Sequence, residues 1–223
     1  MMRTMEVSSR HRERSLKRHC GTRLATKGNG SSSRVQGRVR PLLGQAARRG
    51  RRPAVCQIVG YKNRGKTTLI GALIPILRRQ GFSVAVIKHD VHGFEADRPG
   101  TDTWLHREAG AEAVSITSNE SSYVWESRSR SLKELVNGFV RYDYVLVEGF
   151  KDEDLPKMVL IREHEDLELL VRLKNVKAAV CWPDMLALSK LAALGCPVFE
   201  IGDPQAVAGF LQQQHNLLSN YNI

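Results

Sequence analysis

The chain has no long apolar run: nowhere in its 223 residues do roughly 18 consecutive apolar side chains occur, as a membrane-spanning helix requires. A secretory segment, with a short apolar core behind a basic start, is also missing, so neither export nor a helical span is expected. Cysteine is scarce. Cys20, Cys56, Cys181 and Cys196 show no metal-ligand spacing, and three of them lie in or beside apolar strand-like runs, where they read as small core residues. The expectation is a reduced, cytoplasmic protein. No internal repeat is visible.

Acidic residues are nearly absent from one part of the chain. Residues 1–52 carry 15 Lys or Arg, against only Glu6 and Glu13. The remainder balances 19 basic against 21 acidic residues, so the net charge of +11 belongs to this tail and not to the body. The tail is rich in Arg, Ser and Gly and has little aromatic or alternating apolar pattern. Such a segment buries too little surface to offset its chain entropy. It is therefore predicted to be a disordered basic extension over residues 1–52, ahead of one nucleotide-binding domain over 53–223. Three roles for it stay open: an extended start with little function, an electrostatic arm for polyanions such as RNA, and a transit peptide.

From residue 53 the pattern changes. Short apolar runs alternate with helical stretches, the mark of an α/β fold with a mostly parallel sheet. The run 54-AVCQIV-59 is the first strand. A helix follows from Lys66, with Leu69, Leu73, Ile76 and Leu77 on one face; Pro75 is expected to kink or shorten it, and Gly81 to end it. A second strand spans 83–88. Residues 101–111 read as a helix, 113–118 and 123–127 as a hairpin, and 131–140 as a helix with Ser131 and Glu134 in capping-box spacing. Further strands are predicted at 142–148, 157–162, 176–182 and 197–202. Asp184 and Asp203 are expected helix N-caps, the latter followed by Pro204.

Between the first strand and the first helix lies 60-GYKNRGKTT-68. Gly60, Gly65, Lys66 and Thr67 match the pattern G-x-x-x-x-G-K-[ST] in the strand–loop–helix context it needs. The two glycines permit backbone conformations that aim several N–H groups at phosphate oxygens, and the helix N-terminus adds partial positive charge. Lys66 is placed to reach the outer phosphates and the Thr67 hydroxyl to ligate Mg²⁺. The predicted nucleotide-binding set is Gly60, Tyr61, Lys62, Asn63, Arg64, Gly65, Lys66, Thr67 and Thr68. The fold class is accordingly a P-loop NTPase with three layers. Glu148, ending the apolar run 144-YVLVE-148, is the second predicted metal residue beside Thr67; the alternative is a carboxylate that caps backbone groups.

Lys88, His89, Asp90, His92, Asp97 and Asp102, together with Arg98, follow the second strand, at the sheet edge where such folds bind ligands. They form a candidate ligand-contacting loop, with a solvated polar loop as the plain alternative. A zinc site at His89 and His92 has little support, since no cysteine accompanies them. Base identity is less legible. No N-K-x-D guanine reader is present, and Asp184 in 182-WPDM-185 could accept from a guanine edge or simply cap a helix. Read from the residues alone, the ligand is a purine nucleoside triphosphate with Mg²⁺. No catalytic residue is identified.

With these residues in hand, the chain resembles the molybdopterin-guanine dinucleotide biosynthesis adapter family, MobB. The resemblance runs from about Val55 to about Phe210. It is carried by 60-GYKNRGKTT-68 with 69-LIGALIPIL-77, by 87-IKHDVHGFEADRPGTDTWLHREAGA-111 and by 145-VLVEGFK-151. It implies a GTP- and Mg²⁺-binding protein, at most a slow GTPase, that is a homodimer and assists a molybdenum cofactor guanylyltransferase; molybdopterin is a further implied ligand. By position, Gly65, Lys66, Thr67 and Thr68 would hold phosphates, and Thr67 and Glu148 the metal. The loop from 88 to 102 would lie against the nucleotide or the pterin. The basic tail lies outside the family pattern, and the charged middle 61-YKNR-64 departs from it.

Two function classes compete. One is a GTP-dependent adapter; the other is a small P-loop kinase passing the γ-phosphoryl group to a small molecule. A kinase normally adds a mobile lid carrying Arg residues, and 151-KDEDLPK-157 is acidic and short for that task.

Overall fold

A computed structural model describes residues 52–90, 93–95, 97–186 and 195–221. The basic tail expected over 1–52, apart from Arg52, lies outside the described residues, as do His92 and positions 187–194 of the helix expected to follow Asp184.

Six strands form one parallel sheet: β1 (Ala54–Val59), β2 (Val84–Lys88), β5 (Tyr144–Glu148), β6 (Lys157–Ile161), β7 (Val176–Cys181) and β8 (Val198–Glu200), in the spatial order β2-β5-β1-β6-β7-β8. The three central strands β5, β1 and β6 are buried along their whole length, which explains why their sequences are mostly apolar and do not alternate, with Gln57, Glu148 and Lys157 as the buried polar exceptions. A separate antiparallel ladder pairs β3 (Ala113–Thr117) with β4 (Ser122–Glu126), confirming the hairpin.

The strand period of two sorts side chains to opposite faces. Cys56, Ile58, Leu146, Met158 and Leu160 pack on one face with α1 (Lys66–Arg79), α6 (Pro204–Gln213) and α7 (His215–Ser219). On the other face, Val55, Val145 and Val147 meet Leu132 and Val136 of α3 (Leu132–Gly138), while Val159 and Ile161 meet Leu169 of α4 (Glu168–Arg172) and Met185 of α5 (Pro183–Leu186). Helices thus cover both faces of the sheet, giving three layers. Each fully buried aliphatic side chain contributes roughly 1.5–3 kcal/mol of transfer free energy, so these faces dominate stability.

Helix α1 buries Leu69, Leu73, Ile76 and Leu77 as the spacing predicts, and adds Ile70. Pro75 neither ends nor shortens it. The helix runs on for a further turn because Pro75 and Gly71, whose carbonyl loses its amide partner, both lie on the exposed face where water can serve. It closes as expected at Gly81 (φ +86°): the Phe82 amide donates to Leu77 O at 3.1 Å and the Gly81 amide to Arg78 O at 3.0 Å. The Ser131–Glu134 capping box is formed, and its hydrogen bonds with the Ser131 amide and the Arg128 side chain hold the Glu134 carboxyl down at about 2.

One expectation needs correction. Asp184 is not an N-cap: Pro183 begins α5, which puts Asp184 inside the first turn. Between Arg162 and Val176, a segment given no element from the sequence, the chain forms a 3₁₀ turn (His164–Leu167) and α4. Asp203 does cap α6, accepting from the Ala206 amide at 2.9 Å. Among the described residues, no helix is long and apolar enough to cross a membrane.

Candidate functional site

Strand register assembles the site. β1 lies between β5 and β6, with Ile58 opposite Glu148 and Val59 opposite Val159, so the loop leaving β1 starts beside the end of β5. β2 pairs with β5 so that Lys88 is opposite Glu148. Three strand ends therefore bring the glycine-rich loop, Glu148 and the segment after Lys88 to one edge.

The loop is tightly seated. A Cβ at Gly60 would meet Leu160 Cβ at 3.2 Å and its carbonyl oxygen at 3.3 Å. Gly65 takes φ +95°, and a Cβ there would lie 2.8 Å from Ile201 Cδ1 and 3.4 Å from the Trp182 ring. Lys66 Nζ donates to the carbonyls of Gly60 (3.0 Å) and Tyr61 (2.7 Å). Burial pushes this ammonium below its ordinary value, with the charge of Glu148 pulling the other way. Thr67 Oγ1 donates to both Glu148 oxygens, at 3.0 and 3.1 Å, and Lys88 Nζ stands 3.9 Å from Oε1.

The oxygen set fits a hard divalent cation. A carboxylate and a hydroxyl at hydrogen-bond distance, with Thr67 and Thr68 exposed beside them, supply the one or two protein ligands that Mg²⁺ takes when phosphates and water complete its shell. Among the described residues no group of three His, Cys, Asp or Glu side chains gathers as a metal site.

Other predicted site residues are placed differently. The Tyr61 hydroxyl donates to Glu168, Arg64 pairs with Glu163 and Asp166, and Lys62 is exposed, so the side chains of Tyr61 and Arg64 are engaged with the segment from 163 to 168. His89 stacks on Phe150 at 4.4 Å, and its amide donates to Glu148 O at 3.0 Å. Asp90 follows, exposed. Asp97 and Asp102 lie apart from this group. Asp97 accepts from Thr101 Oγ1 (2.9 Å) and the Arg98 amide (3.0 Å), and bonds from Thr103 and Thr101 hold its carboxyl below the ordinary value. Asp102 opens α2 (Asp102–Glu108). Both line a cavity of about 580 Å³ with Tyr123 and Ile116 of the hairpin.

Sequence reasoning missed Gln57, which is fully buried on β1 and donates from Nε2 to the carbonyls of Gly149 (3.3 Å) and Phe150 (2.6 Å), fixing the chain just after Glu148. A lone amide within an otherwise apolar strand was the signal. It also missed Asp166, whose acidic neighbourhood 163-EHED-166 resembles an ordinary solvated turn.

A glycine-rich loop between a buried parallel strand and a helix, with a carboxylate at the tip of the adjacent strand, defines the P-loop NTPase class of fold, which binds nucleotides. The comparisons with known proteins narrow this. Residues 55–182 match the family model described as MobB, molybdopterin guanine dinucleotide synthesis protein B, and the chain belongs to that family. It is 31% identical to the molybdopterin-guanine dinucleotide biosynthesis adapter protein of Escherichia coli, over 68% of this chain and 87% of that one. The corresponding protein of Haemophilus influenzae is 41% identical over 48% of this chain, a match spanning 62% of that relative's length. The crystal structure of Bacillus subtilis MobB superposes with a TM-score of 0.60 at 31% identity, covering 72% of this chain and 97% of that one.

Proposed function

We propose that this protein is a GTP- and Mg²⁺-binding adapter in molybdopterin-guanine dinucleotide synthesis. It acts in the cytoplasm as a homodimer, with a guanylyltransferase partner that joins GMP to molybdopterin. The observation that carries the reading is the loop from Gly60 to Thr68 with Thr67 bonded to Glu148. The names of the relatives supply the pathway.

In this reading the backbone amides from Asn63 to Thr67 bind the phosphates, Lys66 exchanges its two carbonyl partners for phosphate oxygens, and Thr67 and Glu148 hold the cation. The cation, when bound, neutralises charge on the outer phosphates. Asp184, exposed two residues beyond Trp182, is the candidate contact for guanine. The small-molecule kinase is less favoured, because the chain after Glu148 forms a turn closed by Glu153 N to Phe150 O (3.0 Å). It then buries Leu155 and enters β6, with no room for a lid at this point.

Equilibrium binding of GTP and ATP, with and without Mg²⁺, tests the proposal, and a clear preference for GTP is expected. Equal or stronger ATP binding would sink the guanine assignment and return the kinase to first place. Glu148→Gln is expected to weaken GTP binding about tenfold in Mg²⁺, the scale of one charge-assisted contact, and hardly at all in EDTA. An equal loss under both conditions would make Glu148 a structural cap instead.

A further inference from the structure

A loop that turns its N–H groups inward toward phosphate must turn carbonyls outward, and those carbonyls need donors of their own. Two of them, on Gly60 and Tyr61, are served by Lys66, the side chain that a phosphate would draw away. Two others are served from outside the loop. Arg162, just past β6, donates from a guanidinium nitrogen to Asn63 O at 3.1 Å. Trp182, just past β7, donates from Nε1 to Arg64 O at 3.1 Å.

The braces are themselves held. The Arg162 guanidinium lies over the Trp182 ring at 4.6 Å, and that ring closes on Gly65 from behind. Asp166, fully buried, accepts from the amides of Arg162 and Glu163 at 2.9 Å each and from Arg64 Nε at 3.0 Å. Glu163 takes the other two nitrogens of the same guanidinium at 2.9 and 2.7 Å. Asn63 meanwhile sits at φ +62°, a left-handed conformation that asparagine tolerates better than most residues.

We infer that Trp182 and Arg162, steadied by Asp166, are positioning residues that clamp the carbonyls of Asn63 and Arg64 and so keep the loop's amides converged for phosphate, whichever way Lys66 points. The inference rests on the reading that this loop holds a nucleoside triphosphate, and it goes beyond that reading by assigning its pre-organisation to three residues about 100 positions downstream. It also explains the two cations in 61-YKNR-64 without giving them a phosphate: Arg64 is part of the clamp, and Lys62 is exposed.

The test uses the full chain with Trp182→Phe, which keeps an aromatic ring but loses the donor, and with Arg162→Met and Arg162→Lys. Mg²⁺·GTP affinity is measured by calorimetry, and amide exchange is followed without nucleotide. Trp182→Phe and Arg162→Met are each expected to weaken binding about tenfold, the scale of one lost hydrogen bond to an otherwise unpaired group. They should speed exchange in residues 61–66 while β5 and the end of α1 exchange as in the parent. Arg162→Lys, which retains a donor, should recover part of the loss. If the parent binds and both variants bind within about twofold of it, the clamp is overturned while the nucleotide reading stands. Faster exchange spread evenly over the sheet would also overturn it, by showing a general structural role. A parent that binds no nucleotide overturns the reading beneath it.

Discussion

Replacing Lys66 with alanine is expected to lower the affinity for Mg²⁺·GTP by about a hundredfold, roughly 2.7 kcal/mol, while leaving thermal unfolding almost unchanged. Both halves of that expectation come from the same geometry. The ammonium is half-buried beside the loop's outward carbonyls, so its charge is poorly screened where a phosphate would sit. Charge-assisted bonds of this kind are about twice as strong as neutral ones. Yet Lys66 contacts no core residue through its ammonium; its partners are two loop carbonyls that water can reach once the side chain is gone. Calorimetric titration and a melting curve on the same sample decide the matter. Binding that matches the parent would remove the phosphate role from this loop, and a large fall in melting temperature would recast Lys66 as a structural strap.

Leu160→Ala should have the largest effect on stability, about 2–5 kcal/mol, read as a lower denaturant midpoint at unchanged slope. Leu160 is fully buried in the central strand β6 and faces α1 across the core. Its Cβ and carbonyl also form the floor under Gly60, and its Cδ2 approaches Gly65. The cavity left by truncation would therefore open beneath the loop. Its neighbours are β1, buried along its whole length, and β7, buried over its last four residues, and such packing relaxes little. A loss below about 1 kcal/mol would mean that the site collapses around the smaller side chain.

The parts of this molecule that were legible in the sequence are those governed by local rules. The central strands announce themselves because burial on both faces favours mostly apolar runs without alternation, and 54-AVCQIV-59, apart from Gln57, and 144-YVLV-147 are such runs. Gly81, Ser131 with Glu134, and Asp203 with Pro204 mark helix ends through chemistry confined to a few neighbouring residues. The place of Glu148 was legible, since it ends an apolar strand run, and the structure sets it against Thr67 of the glycine-rich loop. Pro75 does not shorten α1, which runs on to Arg79; Pro75 and Gly71, four residues before it, are both exposed. Asp166, Arg162 and Trp182 were illegible for a different reason. Each is bonded to a residue about a hundred or more positions away, and nothing in the local pattern of 162-REHED-166 or 182-WPDM-185 signals a partner at Asn63 or Arg64. The candidate loop after Lys88 divides for a similar reason. Strand register brings its first two residues to Glu148, whereas Asp97 and Asp102 turn toward the hairpin.

The pairing of β1 with β5 and β6 sets the order in which this molecule can be completed. Ala54 must find Tyr144, and Gln57 must find Lys157, before the first strand has a neighbour on either side, so two large chain loops close before the sheet's centre exists. All-parallel sheets of this kind fold slowly, because the entropy of closure is spent before the long-range contacts repay it. During synthesis the phosphate motif leaves the ribosome early, with its sequence complete by Thr68. Its floor at Leu160, its outer donors at Arg162 and Trp182, and the Ile201 side chain behind Gly65 all arrive much later. A nascent chain that ends short of Trp182 thus carries the whole motif without the side chains that pack around it in the folded protein.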